Sequence, residues 1–251
     1  MIGRQEIATA LRFVGVAPGQ HLLVHSSLSS LGRVEGGAPT VVQALLDVLG
    51  SDGTLLAPTL TGSEDIGPTT EMAFDVDASP SWTGAIPEAV RTWPGAVRSL
   101  HPTHSVAAVG AAASRLTQGH EECITPCGVG SPYARLAADP QGMILLLGCD
   151  HECNTTFHHI EELAGASYHL QPKPVRGVIH HRGRTEARSY WVHSYGTPRH
   201  FMALEPFLLE RGVQTTGLVG DAVARLMPAG PLVALGCDVL RASPRFFVSG
   251  G

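Results

Sequence analysis

The stretch GMILLLGC, residues 142–149, constrains the fold more than any other part of this chain. It is almost unbroken apolar sequence of strand length. A strand can carry that only if both of its faces are covered, as in the centre of an α/β sheet. The run stops at DHECN, and TTFHHIEELAG then repeats its apolar residues at helical spacing. Asn154 or Thr155 is placed to cap that helix, and Gly165 to end it. In such folds, ligands collect where a strand ends and a helix begins. The polar crowd at 149–162 therefore falls where chemistry is expected.

The rest of the chain alternates in the same way. HLLVHSS (21–27) and TLLAPTL (54–60) read as strands, with the helix PTVVQALLDVLG (39–50) between them. GAIPEAVRTW (84–93) and AAASRLTQGH (111–120) read as helices, and HSVAAVG (104–110) as a strand. PVRGVIHHRGRTEARSYWVHSY (174–195) predicts a hairpin turning near Arg182 and Gly183. Residues 200–242 read as mostly helical with a short interruption. Residues 61–82 have no period, and a stretch of that length inside a compact fold is more often functional than idle. The alternation predicts one α/β domain over residues 1–251, an α/β/α sandwich with a mixed central sheet. A hydrophobic fraction of 43% supplies the core this requires.

Charge narrows the choice of partners. The formal net charge is −5, Lys173 is the sole lysine, and no basic block or aromatic-studded basic stripe occurs, which argues against nucleic acid. No apolar run approaches the roughly 20 residues of a membrane span. The opening MIGRQEIATALRFVGV reads as a helix rather than a secretory signal, so a cytoplasmic location is expected. Five cysteines are an odd count in a chain this long, and free thiols are the expectation.

Within the polar crowd, His158 and Glu161 stand three residues apart and share a helix face. A carboxylate there accepts the imidazole N–H, fixes the tautomer and frees the other nitrogen as a base. The helix N-terminus disfavours imidazolium while the carboxylate favours it, so the two effects oppose. On an arbitrary helix such a pair is most often a surface pair; the buried strand and short loop leading in favour function here. Cys149, His151, Cys153, His158 and His159 form the competing metal reading, that of a zinc hydrolase. Neither a CxxC pair nor HExxH is present, and two adjacent histidines diverge by about 100° on a helix, so no metal is expected. A binding module without catalysis is the third reading.

Several long blocks carry a family resemblance. LLLGCDHECNTTFHHIEELAG, LLVHSSLSSLGRVEGG, GTLLAPTLT, SPSWTGAIPEAVRTWPGAVRSLHPTHSVAAVG and GVGSPYARL resemble, in one order and over nearly the whole chain, the aminoglycoside 3-N-acetyltransferases. The resemblance implies a fold distinct from that of the GCN5-related acetyltransferases. It also implies acetyl-CoA as cosubstrate and acetylation of the 3-amino group of a 2-deoxystreptamine ring. His158 falls on the family's catalytic histidine and Glu161 on the acidic residue that orients it. Ser26, Ser27, Leu28 and Ser29, with Arg98, Ser99, Pro102, Thr103 and His104, are then expected to hold acetyl-CoA. Asp75, His151, Glu152 and Glu161 are expected to meet the aminoglycoside or a related polyamine. A monomer or homodimer is expected. The chain departs from the family at Asp150, Glu152, Cys153 and His159, and has SYGTPRHF where an acidic segment is usual.

Overall fold

The computed structural model describes residues 1–63, 65–67 and 69–248. Helix α1 (Arg4–Val14) leads into β1 (His21–Ser26), and α2 (Ala38–Leu49) leads into β2 (Thr54–Pro58). Then follow β3 (Glu71–Asp75), α3 (Ala85–Arg91), β4 (Val97–Arg98), β5 (Val106–Gly110), α4 (Ala113–Thr117) and α5 (Pro132–Ala137). Strand β6 (Gly142–Leu147) precedes α6 (Thr156–Ala164), and β7 (Val175–His181) pairs with β8 (Arg184–Tyr190). The carboxyl-terminal part holds α7 (Glu205–Glu210), β9 (Thr215–Val219), β10 (Ala222–Pro228) and α8 (Ala229–Ala242).

Seven strands form one sheet in the order β4-β5-β2-β1-β6-β10-β9. The three central strands β2, β1 and β6 are parallel, and the outer four pair antiparallel. Alternate residues of the same strand feed two cores, as the pleat requires. Leu22, Val24, Leu145 and Leu147 face α1, α2 and α3, where they meet Leu11, Leu45 and Val90. Leu23, Ile144 and Leu146 face the opposite layer, with Leu136, Phe157, Ile160 and Leu232. The expected α/β/α sandwich with a mixed sheet is what the chain forms. A second sheet, β3-β7-β8, buries Phe74, Ile179 and Tyr190 in a smaller core.

Two expectations are corrected. The interruption in residues 200–242 is not short, because TTGLV and AVARLMP form the β9–β10 hairpin that extends the main sheet. The burial of β10 alternates, so its period is two, although its composition passes for helix. Residues 61–82 do contain a strand, β3, which pairs in parallel with β7 a hundred residues later. Pairing that distant leaves no local signal.

Strands β1 and β6 run side by side in register from His21↔Gly142 to Ser26↔Leu147. Both therefore end at the same edge, and the Ser27 amide donates to Leu147 O at 2.9 Å as the chains leave the sheet. Gly148 turns there at φ +77°, and a Cβ would meet Ser30 Cβ at 2.7 Å. Only glycine suits both the left-handed turn and the close approach.

Candidate active site

Helix α6 starts one short loop beyond β6. Asn154 Oδ1 accepts from the Thr156 amide at 3.1 Å, which holds the entry to the helix, and Gly165 closes it in the left-handed region at φ +69°. The apolar face of α6 carries Phe157 and Ile160 into the core. That packing fixes the rotation of the helix and turns His158 and Glu161 toward the strand ends.

His158 Nδ1 lies 2.7 Å from Glu161 Oε2, which leaves Nε2 as the remaining ring nitrogen. Glu161 is completely buried, whereas the His158 side chain keeps 23% exposure. The same carboxylate gathers two further basic side chains. His169 Nδ1 lies 2.8 Å from Oε2, a close contact not aligned as a hydrogen bond, and Arg199 Nε donates to Oε1 at 3.4 Å. Burial would raise the Glu161 pKa, but the contacts from His158 and His169 outweigh it and hold the carboxylate well below its usual range. Burial lowers His158, with the Glu161 hydrogen bond opposing, so its ring is neutral at pH 7. On His169, burial opposes charge, yet Glu161 and Glu162 prevail and raise its pKa.

Around this pair stand three more buried rings. His193 is 4.3 Å, centroid to centroid, from each of His104, His158 and His169. Burial pushes His104 and His193 well below the ordinary histidine value, and His25 down to about 3. A cavity of about 280 Å³ opens on the cluster, lined among others by His25, Ser26, Trp82, His104, Glu152 and His158. His25 Nε2 and Ser26 Oγ are buried with no hydrogen-bond partner among the described residues, so they are available to a ligand. A second cavity of about 250 Å³ shares Glu152, His158, His193 and Tyr195 and continues to Arg199. His158 thus stands at the junction of two spaces, as a proton acceptor between two substrates would.

The residues expected at the site divide into three sets. Ser26, His104, Glu152 and His158 line the cavity, and Glu161 supports it. Ser27, Leu28 and Ser29 lie in the turn after β1, with Ser27 Oγ 3.2 Å from Ser29 Oγ. The others serve the scaffold. Arg98 is not free for a phosphate: it donates to the carbonyls of Val76, Ser79 and Thr59 and to Ser105 Oγ, and it stacks over Phe74. Burial brings its pKa down to about 10, still charged at pH 7. Ser99 bonds His120 Nδ1 at 2.8 Å; Thr103 Oγ1 lies 2.9 Å from His104 Nδ1 and orients that ring; Pro102 packs near Gly177 of β7. Asp75 accepts from the amides of Asp77 and Ala78 and faces a different hollow beside His180. His151 is fully buried with Nε2 2.8 Å from Gln214 Oε1, so it meets no ligand.

The competing metal set does not assemble either. His151 is taken by Gln214, and His159 Nδ1 lies 2.6 Å from Cys127 O. His25, His169, His193, Tyr195 and Arg199 were missed. His25 had a signal, since it sits at the carboxyl end of a central strand. The other four flank the β7–β8 hairpin, and nothing in their local sequence marks them as neighbours of α6.

Comparison with known proteins accords with this geometry. The family model described as aminoglycoside 3-N-acetyltransferase matches residues 23–241. Aminoglycoside N(3)-acetyltransferase IX of Micromonospora chalcea is 33% identical, covering 92% of this chain and 90% of the relative. Aminoglycoside N(3)-acetyltransferase VIII of Streptomyces fradiae is 34% identical, covering 94% and 91%. Among solved structures, aminoglycoside acetyltransferase AAC(3)-Xa superposes with a TM-score of 0.84 at 33% identity, over 96% of this chain and 93% of the other. The binary complex of AAC-IIIb with CoASH does so at 0.83 and 27%, over 100% and 99%. A fold shared along the full length and a family match over most of the sequence agree: the chain belongs to the aminoglycoside 3-N-acetyltransferase family.

Proposed function

We propose that this enzyme transfers the acetyl group of acetyl-CoA to the 3-amino group of an aminoglycoside, with His158 as general base, and so confers resistance in the cytoplasm. The observation that carries this reading is the His158–Glu161 pair at 2.7 Å, set where two cavities meet. An amine must lose its proton to attack a thioester. His158 takes it, and Glu161 stabilises the imidazolium that results. The new N–C bond forms as the C–S bond of the thioester breaks, within a ternary complex. Buried donors of the cavity wall, such as Ser26 Oγ, offer hydrogen bonds to the thioester oxygen.

The chemistry of the wall supports the two ligands. The cavity of about 280 Å³, with His25, Pro58, Leu60 and Pro87, suits a pantetheine arm, and CoASH occupies the related AAC-IIIb. The exposed carboxylate of Glu152 borders both spaces and suits an ammonium group. Related enzymes have been solved with a gentamicin and with sisomicin. His158→Ala is expected to lower turnover by about 10²–10⁴-fold, the usual worth of a general base. Acetyl-CoA affinity, measured by calorimetry, is expected to stay within a few-fold. Near-normal turnover in that variant, against a panel of aminoglycosides, would refute the assignment.

A further inference from the structure

The transfer reaction uses His158 and Glu161, but it does not account for what lies behind them. His193 is 2% exposed, and neither of its ring nitrogens has a hydrogen-bond partner among the described residues. Leaving such groups unsatisfied is costly, and native interiors rarely do it. His193 is also the centre of a donor set. One nitrogen of His104, the Cys127 sulfur and one nitrogen of His193 lie within 4.8 Å of one another, all three residues buried. Two imidazoles and a thiol are ligands of zinc chemistry, and contraction by about 1 Å brings such a set to tetrahedral spacing.

The surroundings match that use. His104 Nδ1 lies 2.9 Å from Thr103 Oγ1, so a second-sphere hydrogen bond orients the ring and leaves Nε2 to ligate. Burial keeps both His104 and His193 neutral with lone pairs free, and it raises the Cys127 thiol well above its ordinary value, so an ion must displace that proton as it binds. Glu162 Oε1 lies 3.8 Å from His193 Nε2, which adds negative charge beside a cation. His104 and His193 line the catalytic cavity, which gives an ion its way in. His158, His169 and His193 form an alternative set. There, however, both ring nitrogens of His169 already face carboxylates, Nδ1 2.8 Å from Glu161 Oε2 and Nε2 3.5 Å from Glu162 Oε1.

We infer that His104, Cys127 and His193 form an inhibitory zinc site of this enzyme. Binding forms the S–Zn bond and two N–Zn bonds, and the Cys127 thiol loses its proton to solvent. A dication on one thiolate leaves net positive charge beside His193, whose ring is 4.3 Å from that of His158. The base must become imidazolium during transfer, so that charge opposes the step. The metal-free enzyme is the active form, and chelator treatment is expected to leave acetyl transfer intact.

The test titrates chelator-treated full-length protein with Co²⁺ and follows absorption, then displaces the cobalt with Zn²⁺ in a calorimeter. One equivalent is expected to bind with thiolate-to-cobalt charge-transfer absorption, and zinc is expected to lower turnover about tenfold or more. Cys127→Ser is expected to lose the charge-transfer band and the zinc inhibition. His193→Gln provides a second binding variant should the Cys127 change prevent folding, and it is expected to lose cobalt affinity. No stoichiometric binding would overturn the site, as would a charge-transfer band that survives in Cys127→Ser, which would place the ion on Cys149 or Cys153. Tight binding without that band would also overturn it, by placing the ion on His158, His169 and His193. Because cobalt binding is read without acetyl transfer, failure here is distinguishable from failure of the acetyltransferase assignment.

Discussion

At the scale of single residues, Glu161 organises the site by charge. Its carboxylate is fully buried and meets His158, His169 and Arg199, so it balances cations as well as orienting one ring. Removing one partner of a buried ion cluster leaves the others uncompensated, at a cost of about 3–5 kcal/mol. Glu161→Gln is therefore expected to lower stability by ~3 kcal/mol in urea unfolding while reducing turnover less than His158→Ala does. Turnover reduced without any stability loss would mean the carboxylate acts on His158 alone. Glu152 works differently. Its side chain is exposed, accepts from the Met202 amide at 3.1 Å, and borders both cavities. Glu152→Gln is expected to raise the KM for the aminoglycoside several-fold with little change in that for acetyl-CoA, and high salt is expected to imitate it. Equal weakening of both substrates would assign Glu152 to structure.

At the scale of elements, the site depends on how closely α6 packs against α8. Gly236 of α8 faces Ile160 of α6, and a Cβ there would meet Ile160 Cδ1 at 2.5 Å and Cγ2 at 3.0 Å. Ile160 lies between His158 and Glu161 in sequence, so pushing it away moves the helix that carries both. Gly236→Ala gains helix propensity of about 1 kcal/mol, but overpacking costs about 1–3 kcal/mol. The expected outcome is a net loss of up to ~2 kcal/mol in urea unfolding together with reduced turnover. An alanine variant with full stability and full activity would show that Ile160 finds another rotamer at no cost to α6.

At the scale of the whole molecule, the fold stores many neutral histidines. His25, His101, His104, His120 and His193 all have their pKa pushed down, in each case mainly by burial, His25 to about 3 and His120 to about 4. Between those values and the unfolded value near ~6.5, the unfolded chain binds more protons than the folded one. Stability therefore rises with pH across that window and is lost on acidification. Each histidine contributes a slope of up to about 1.4 kcal/mol per pH unit. Below the ordinary glutamate range, the loss of Glu161's ionised form acts in the same direction. The depressed Glu161 value makes stability present above the unfolded pKa and lost as pH falls through the folded one. His169 acts in the opposite sense, since its raised pKa contributes most below the unfolded value. The melting temperature is expected to fall steeply from about pH 6.5 toward about pH 4. A flat profile over that range would contradict the burial of these rings.

The sequence by itself determined the sandwich, the helix α6 and the pairing of His158 with Glu161, because each rests on local information. A strand covered on both faces announces itself by an unbroken apolar run, and residues three apart on a helix share a face wherever that helix lies. The order of long blocks likewise disclosed the family. Tertiary structure alone decided the rest. It spent Arg98 on backbone carbonyls, took His151 to Gln214, and joined β3 to β7. It also brought His104, Cys127, His169, His193 and Arg199 around one helix face from separate segments of the chain. Whether a polar residue is free for a ligand depends on which carbonyls, carboxylates and rings lie within about 3 Å of it. Those neighbours are set by the packing of distant segments, for which a single chain of letters carries no short-range signal.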